Sequence, residues 1–364
     1  VNPHERWILR LDECGGELVS TVGGKCAGLG ELIRAGVAVP AGFAVTTNAH
    51  RAFLAQGGLG ERIPALLRRI DFDDVHSVEE GSAAIRALVE STELPEPVAA
   101  AIAASYEELG AGPVAVRSSA VAEDQAAASF AGQLETYLWI EGVDEVARHT
   151  RRAWSGLFTP AALTYRHRMR LEADVELMCV GVQQMVEPRA AGVMFTLNPL
   201  TGDPSKVVIE ASWGLGESVV SGEVDPDRFL VDKVTGDILE RTIATKRLEH
   251  RFDPESRRVR ALAVPAERAD QPCLSDTEVS ELAAKGKHIE RFHGSARDIE
   301  WALVDGSDTG EGAIRILQSR SETVWSRRSR EPVFERKDSA VEYVLAELLG
   351  LAGAKPQPGR REGS

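Results

Sequence analysis

The spacing of apolar positions changes several times along the chain, and each change marks an element. From Leu18 to Thr47 a Gly-rich stretch leads into helical spacing near Leu29–Arg34, then a turn at Pro40-Ala41-Gly42 and a strand-length apolar run, Phe43–Thr46. Residues 49–109 keep helical periodicity with few β-branched runs and break at Gly57-Gly58 and around Pro95 and Pro97, which predicts a helical insert. Val114–Val116 predicts a short strand that ends in Arg117-Ser118-Ser119, and after a polar loop Glu135–Ile140 predicts another, followed by a helix through Ala153. Val180–Val186, Val193–Thr196 and Lys206–Ala211, each bounded by Gly, Pro or Asn, predict a second sheet. Phe229–Val231 and Ile238–Thr245, joined by Thr235-Gly236-Asp237, read as a hairpin. Ser275–Phe292 has the helical period behind a Ser275/Glu278 capping box, and Ile299–Val304 with Ile314–Ser319 predicts a closing strand pair. Beyond Arg327 a basic start, one helical stretch at Val341–Leu351 and a Pro-, Gly- and Arg-rich end read as an appendage with a disordered tip.

Composition narrows what such a chain does. Its 364 residues are 43% hydrophobic, enough for one large core or two modest ones. Against 42 Lys+Arg stand 56 Asp+Glu, a formal charge of -14, which opposes the counterion release that drives binding to nucleic acid and anionic membranes, so neither is expected as a partner. Cys14, Cys26, Cys179 and Cys273 lack the paired spacing of a structural zinc site and suit a reducing compartment. No run approaches the roughly 20 apolar residues that span a bilayer, and the N-terminus lacks an apolar signal core, so a soluble, cytoplasmic protein is expected.

Three segments carry candidate chemistry. Gly23-Gly24-Lys25, with Gly28 and Gly30 at a helix start, offers backbone N–H groups and one ammonium to a polyphosphate, although it fits neither common Gly-rich phosphate motif and by itself reads more readily as a turn. Arg117 leaves a buried strand beside Ser118 and Ser119 and faces the small-residue run Ser129-Phe130-Ala131-Gly132-Gln133 and Thr136; it suits a phosphate clamp or a sheet-edge salt bridge. In Ile299-Glu300-Trp301-Ala302 and Ile316-Leu317-Gln318-Ser319-Arg320, a carboxylate and an amide oxygen at like ends of neighbouring strands supply hard ligands for Mg²⁺, with Arg320 on the same face. Ordinary strand-end polar residues have the same look. One metal-bridged triphosphate satisfies all three segments.

In order along the chain, GGKCAGL (Gly23–Leu29), GVAVPAGFAVT (Gly36–Thr46), VAVRSS (Val114–Ser119), Ser129–Gln133, VQQMV with AGVMFT (Val182–Val186, Ala191–Thr196), WGLGESVVSG (Trp213–Gly222), Asp225-Pro226-Asp227, IEWA and ILQSR resemble the ATP-grasp module of phosphoenolpyruvate synthase, pyruvate phosphate dikinase and rifampicin phosphotransferase. The resemblance runs from about residue 18 to 320. It implies a two-lobed α+β ATP-grasp fold with the nucleotide cleft between lobes of residues 1–190 and 191–326, a helical insert at about 49–109, and a C-terminal appendage at 327–364. By the same resemblance Lys25 and Arg117 hold the triphosphate of ATP, Gly132 and Thr136 belong to the loop that covers it, and Gln183 with the backbone of Met185 and Val186 meets adenine. Glu300 and Gln318 hold Mg²⁺, and Arg320 lies beside the phosphates, so that Lys25, Arg117 and Arg320 are the catalytic cations. The run Trp213–Glu217 is either a nucleotide contact or a structural loop. Where the family usually has Pro after Gln-Ser-Arg, this chain has Ser321, which is expected to loosen the exit from the strand.

Full-length members carry a swivelling domain whose histidine takes phosphate from ATP within a T-x-[GS]-G-x-[TS]-[SC]-H signature. None of His4, His50, His76, His149, His167, His250, His288 and His293 stands in that context. The resemblance then implies a separate subunit carrying the phosphohistidine domain, as in the split aryl phosphate synthases, with a phenol-type acceptor bound by that partner and AMP and Pi released. Two alternatives stay open: the N-terminal part of a phosphoenolpyruvate synthase or rifampicin phosphotransferase, and a non-catalytic nucleotide-sensing subunit. The full set Lys25, Arg117, Glu300, Gln318 and Arg320 argues against the last, since sensing does not need it.

Overall fold

The computed structural model describes residues 5–120, 136–170, 176–305 and 314–325. Strands β1 (Ile8–Arg10), β2 (Gly42–Val45), β3 (Val114–Ala120), β4 (Thr136–Ile140) and β5 (Met178–Gln184) form a five-stranded antiparallel sheet in the order β1-β2-β5-β3-β4. A six-stranded sheet, ordered β13-β12-β6-β7-β8-β9, comprises β6 (Ala190–Phe195), β7 (Lys206–Trp213), β8 (Asp227–Asp232), β9 (Ile238–Thr242), β12 (Arg297–Leu303) and β13 (Ile314–Ser321). Between β9 and β12 the chain forms a separate hairpin, β10 (Leu248–Asp253) and β11 (Arg258–Ala263).

The expected β8/β9 hairpin and β12/β13 pair are present. The run starting at Val180 lies instead in the first sheet, hydrogen-bonded to both β2 and β3. Its residues from Met178 to Gln183 are all buried, as in a central strand covered on both faces, and the chain crosses to the second sheet only after it. The β10/β11 hairpin was not legible, because its β11 residues are mostly exposed and give no apolar alternation.

Helices α1 (Val19–Arg34), α2 (Thr47–Ala55), α3 (Leu59–Leu67), α4 (Val75–Ser91) and α5 (Glu96–Glu108) precede β3; α6 (Val143–Ser155) and α7 (Pro160–Arg168) follow β4. The short α8 (Glu217–Val220) and α9 (Ala266–Ala269) and the long α10 (Asp276–His293) belong to the second half, and α10 starts at the expected Ser275/Glu278 capping box. Helices α2 to α6 pack with the first sheet around Phe53, Ile85, Ile102 and Trp154, whereas α10 covers the second sheet through Val279, Leu282 and Ile289. Helix α1 lies against β3 and β5 of one sheet and β13 of the other, and its Val22, Cys26, Leu29 and Leu32 belong to the second core. The segments around Gly132, Val341–Leu351 and the remainder of 326–364 lie outside the described residues. Contacts divide the chain after Glu322, and all elements named above lie in the first unit. No helix among the described residues is long and apolar enough to cross a membrane.

One core residue ties this packing to pH. His50 of α2 is buried, stacks on Trp154 with ring centroids 4.7 Å apart, and accepts the Met178 N–H on Nδ1 at 3.0 Å. Burial, with a smaller contribution from Arg51, pushes its pKa down from 6.5 to about 3. The unfolded chain therefore takes up the proton first: the stability is full above about pH 6.5 and is lost as pH falls towards 3, at about 1.4 kcal/mol per pH unit. Urea unfolding between pH 7 and 4.5 is expected to show that slope, and H50N to flatten it; equal slopes for the two proteins would refute the assignment.

Candidate functional site

The Gly-rich segment is shaped by a close approach between α1 and β3. Gly23 breaks α1 with φ 71° and ψ 169°, and a Cβ there would stand 2.1 Å from the carbonyl oxygen of Ser119. Only glycine fits, because the backbone is left-handed and the space is taken. Ser119 fastens the break: its hydroxyl donates to Val22 O at 2.9 Å and accepts the Cys26 N–H at 3.2 Å. Lys25 consequently lies in the first turn of the second helical segment, and its Nζ donates to Ser118 O at 3.1 Å.

Arg117 leaves the same strand. Its Nη1 donates to Leu317 O at 3.4 Å and stands 3.5 Å from Glu300 Oε2, while its buried Nε has no partner among the described residues. Glu300 on β12 and Gln318 on β13 are register partners, and the register shifts immediately after Glu300. As directly opposed residues, Glu300 and Gln318 share one face, and Glu300 meets Arg117 there. Arg320, two residues beyond Gln318, pairs through Nε with Asp298 Oδ2 at 3.3 Å. Burial raises the Asp298 carboxyl above its ordinary value, and Arg320 offsets only part of the rise.

These groups line one cavity of about 400 Å³ between the two sheets, together with Thr136, Gln183, Met185 and Val186. Its lining combines the charged and amide side chains of Lys25, Arg117, Arg320, Glu300 and Gln318 with apolar surface from Ala115, Leu138, Met185, Val186, Ala191 and Leu215. Apolar lining together with three cations suits a flat base joined to phosphates. The Met185 N–H is already given to Pro113 O at 2.9 Å. The Met185 carbonyl and the Val186 N–H have no hydrogen-bond partner among the described residues, leaving one acceptor and one donor for the edge of a base. Gln183 is buried, with Nε2 3.5 Å from Pro40 O.

The structure thus brings together Lys25, Arg117, Thr136, Gln183, Met185, Val186, Glu300, Gln318 and Arg320, while Gly132 lies outside the described residues. Sequence reasoning missed Leu138, which strand alternation from Thr136 could have found. It left the Trp213–Glu217 run undecided; Leu215, Gly216 and Glu217 line the cavity, whereas Trp213 packs in the core. The expectation for Ser321 is corrected. Ser321 stays in β13 opposite Arg297 and accepts Arg297 Nη1 at 2.7 Å, because serine keeps the N–H and hydroxyl that proline lacks.

The donor set fits Mg²⁺. One carboxylate and one amide oxygen on adjacent strands, beside cations suited to phosphates, leave the remaining positions of an octahedral ion to phosphate oxygens and water. No cluster of three or more metal-binding side chains occurs among the described residues, so a cage made wholly by them is excluded.

Residues 19–340 match the family described as pyruvate phosphate dikinase, AMP/ATP-binding domain. The chain is 43% identical to a probable phosphoenolpyruvate synthase of Staphylothermus marinus, over 93% of this chain and 44% of that one. Identity to the phosphoenolpyruvate synthase of Aeropyrum pernix is 39%, over 98% and 47% of the two chains. A rifampicin phosphotransferase of a Streptomyces species is 40% identical, over 94% and 38%. The chain spans about half or less of the length of these relatives. Two antiparallel sheets with the cavity between them match the two-lobed α+β architecture expected from the sequence.

Proposed function

The chain belongs to the family of pyruvate phosphate dikinase AMP/ATP-binding domains, and from that premise we propose that it is the ATP-binding, phosphoryl-donating part of a dikinase-type phosphotransferase. The observation that carries this reading is the convergence of Lys25, Arg117 and Arg320 with the Glu300/Gln318 pair on one cavity that also has apolar lining. In phosphoryl transfer the protein contributes alignment and charge neutralisation rather than covalent chemistry. Lys25 holds the phosphate chain from α1, Arg117 from the first sheet and Arg320 from the second, and Glu300 keeps Arg117 turned into the cavity. Glu300 and Gln318 would hold Mg²⁺, which when bound would supply further charge neutralisation.

None of the described histidines lines this cavity, and the acceptor histidine that the family resemblance implies would be brought to it from elsewhere. The finer reading places that histidine on a separate subunit and gives the partner a phenol-type acceptor. Its support is the resemblance to split aryl phosphate synthases. The overall conversion is ATP + acceptor hydroxyl + H₂O to acceptor phosphate + AMP + Pi. A second reading has support of its own: identities near 40% to phosphoenolpyruvate synthases and a rifampicin phosphotransferase favour pyruvate or a rifamycin as the acceptor.

The test is incubation of the chain with Mg²⁺ and ATP, with and without the protein encoded beside it, following AMP, Pi and acid-labile phosphate, then adding phenol, pyruvate or a rifamycin. AMP and phosphohistidine only with the partner, and transfer to phenol, support the two-chain reading. Transfer to pyruvate or a rifamycin replaces it with the second. ATP binding with no AMP under any condition cuts the functional claim back to nucleotide binding.

A further inference from the structure

The two walls of the nucleotide cavity are also joined outside it. Strand β4 gives Thr136 and Leu138 to one wall, and the turn into α8 gives Leu215, Gly216, Glu217 and Val220 to the other. Beyond them lies a wider cleft of about 1040 Å³, lined by β4 and α6 on one side and by the β10/β11 hairpin on the other. The hairpin crosses to β4 through paired contacts. Phe252 stacks on Trp139 with ring centroids 4.4 Å apart and planes 11° from parallel, and Arg257 Nη2 donates to Glu141 Oε2 at 2.5 Å. Trp139 takes φ 59°, a left-handed conformation that a bulky residue holds only when its surroundings fix it.

The same hairpin is locked to the α8 turn. His250, two residues before Phe252, accepts the Leu215 N–H on its carbonyl oxygen at 2.9 Å. Gly214, at φ 73°, lies so close that a Cβ would stand 2.4 Å from that oxygen. The His250 ring reaches Glu223 at 3.1 Å and Glu217 at 3.8 Å on either side of α8. Behind it, Glu249 pairs with Arg251 at 2.9 Å and with Arg268, which lies over Trp213. A rigid path therefore runs from β4 through the hairpin to α8, linking the opposite walls of the cavity.

We propose that Trp139, Glu141, Phe252 and Arg257 form a clasp that sets the spacing of the two cavity walls and thereby preorganises the site for nucleotide. Its affinity arm rests on the ATP reading of the cavity; its mechanical arm does not. None of the four residues touches the nucleotide cavity, so they act as positioning residues, through the elements they hold. Walls that are already spaced lose less freedom on binding, which is where the affinity comes from.

The experiment compares the unaltered chain with F252A, F252Y, E141R, R257E and the charge-swapped E141R/R257E. Amide hydrogen exchange is followed over residues 136–140 and 215–221 without nucleotide, and Mg-ATP affinity by calorimetry. F252A, E141R and R257E are expected to speed exchange over both segments and to weaken Mg-ATP binding about five- to tenfold, with F252Y and the charge swap restoring both. Unchanged exchange over 215–221 and unchanged affinity in F252A and R257E overturn the clasp. If the unaltered chain does not bind Mg-ATP, the nucleotide reading fails, and the exchange arm still decides whether the clasp exists.

Discussion

Replacing Glu300 with Gln is expected to slow phosphoryl transfer from ATP by about a thousandfold while leaving metal-free nucleotide binding nearly unchanged. The change preserves size and removes only the charge, on a side chain that faces Gln318 across the β12/β13 pair and lies 3.5 Å from Arg117. Two neutral amide oxygens hold a hard divalent ion far more weakly than a carboxylate and an amide. Arg117, relieved of its counter-charge, keeps its attraction for phosphate, so the loss should fall on metal-dependent transfer. Measuring transfer across a Mg²⁺ titration, alongside ATP affinity in chelator, separates the two effects. Metal-dependent transfer at the normal rate in E300Q would mean that the ion is held by other residues, and the assignment of Glu300 and Gln318 would be withdrawn.

Asp227→Ala is expected to destabilise the fold by about 3–5 kcal/mol, lowering the melting temperature by roughly 10 °C. Asp227 and Lys246 are both fully buried, with Oδ1 and Nζ 2.5 Å apart. The carboxylate also accepts the Ala244 N–H at 3.0 Å and the Cys273 N–H at 2.8 Å, whereas the ammonium has Ala244 O at 2.8 Å. Removing the carboxylate strands a buried ammonium and two backbone donors; removing the ammonium in K246M leaves a carboxylate still holding two N–H groups. D227A should therefore be the more damaging, and the double substitution should cost less than the sum of the singles. Denaturant unfolding checks the order, and equal or negligible losses would show that the pair does not hold β8 to the segments around Ala244 and Cys273.

The same residue shows where sequence reading stops. Asp225-Pro226-Asp227 serves as a marker of resemblance, but nothing local announces that the second aspartate is a buried structural anchor, because its lysine lies beyond a complete strand. Trp213–Glu217 was ambiguous for a related reason: one short run splits its roles, with Trp213 in the core and Glu217 at the cavity. Gly23 was more legible. A glycine pair before a lysine signals an unusual backbone, but the partner that forbids a Cβ, Ser119, lies far along the chain.

By itself the sequence determined the local elements whose signals are short-range: the strand that starts at Val114, although it runs on to Ala120 rather than ending at Arg117, the capped α10 helix, the β8/β9 hairpin, and the order of segments by which the family is identified. Periodicity, caps and turn residues act within a few positions and survive in any fold. Tertiary structure alone decided that β5 is the middle of the first sheet, that Lys25, Arg117, Glu300 and Gln318 share one cavity, and that Phe252 meets Trp139. Strand order and cross-lobe contact depend on which distant surfaces bury one another, and a single strand's apolar run is the same whichever sheet receives it.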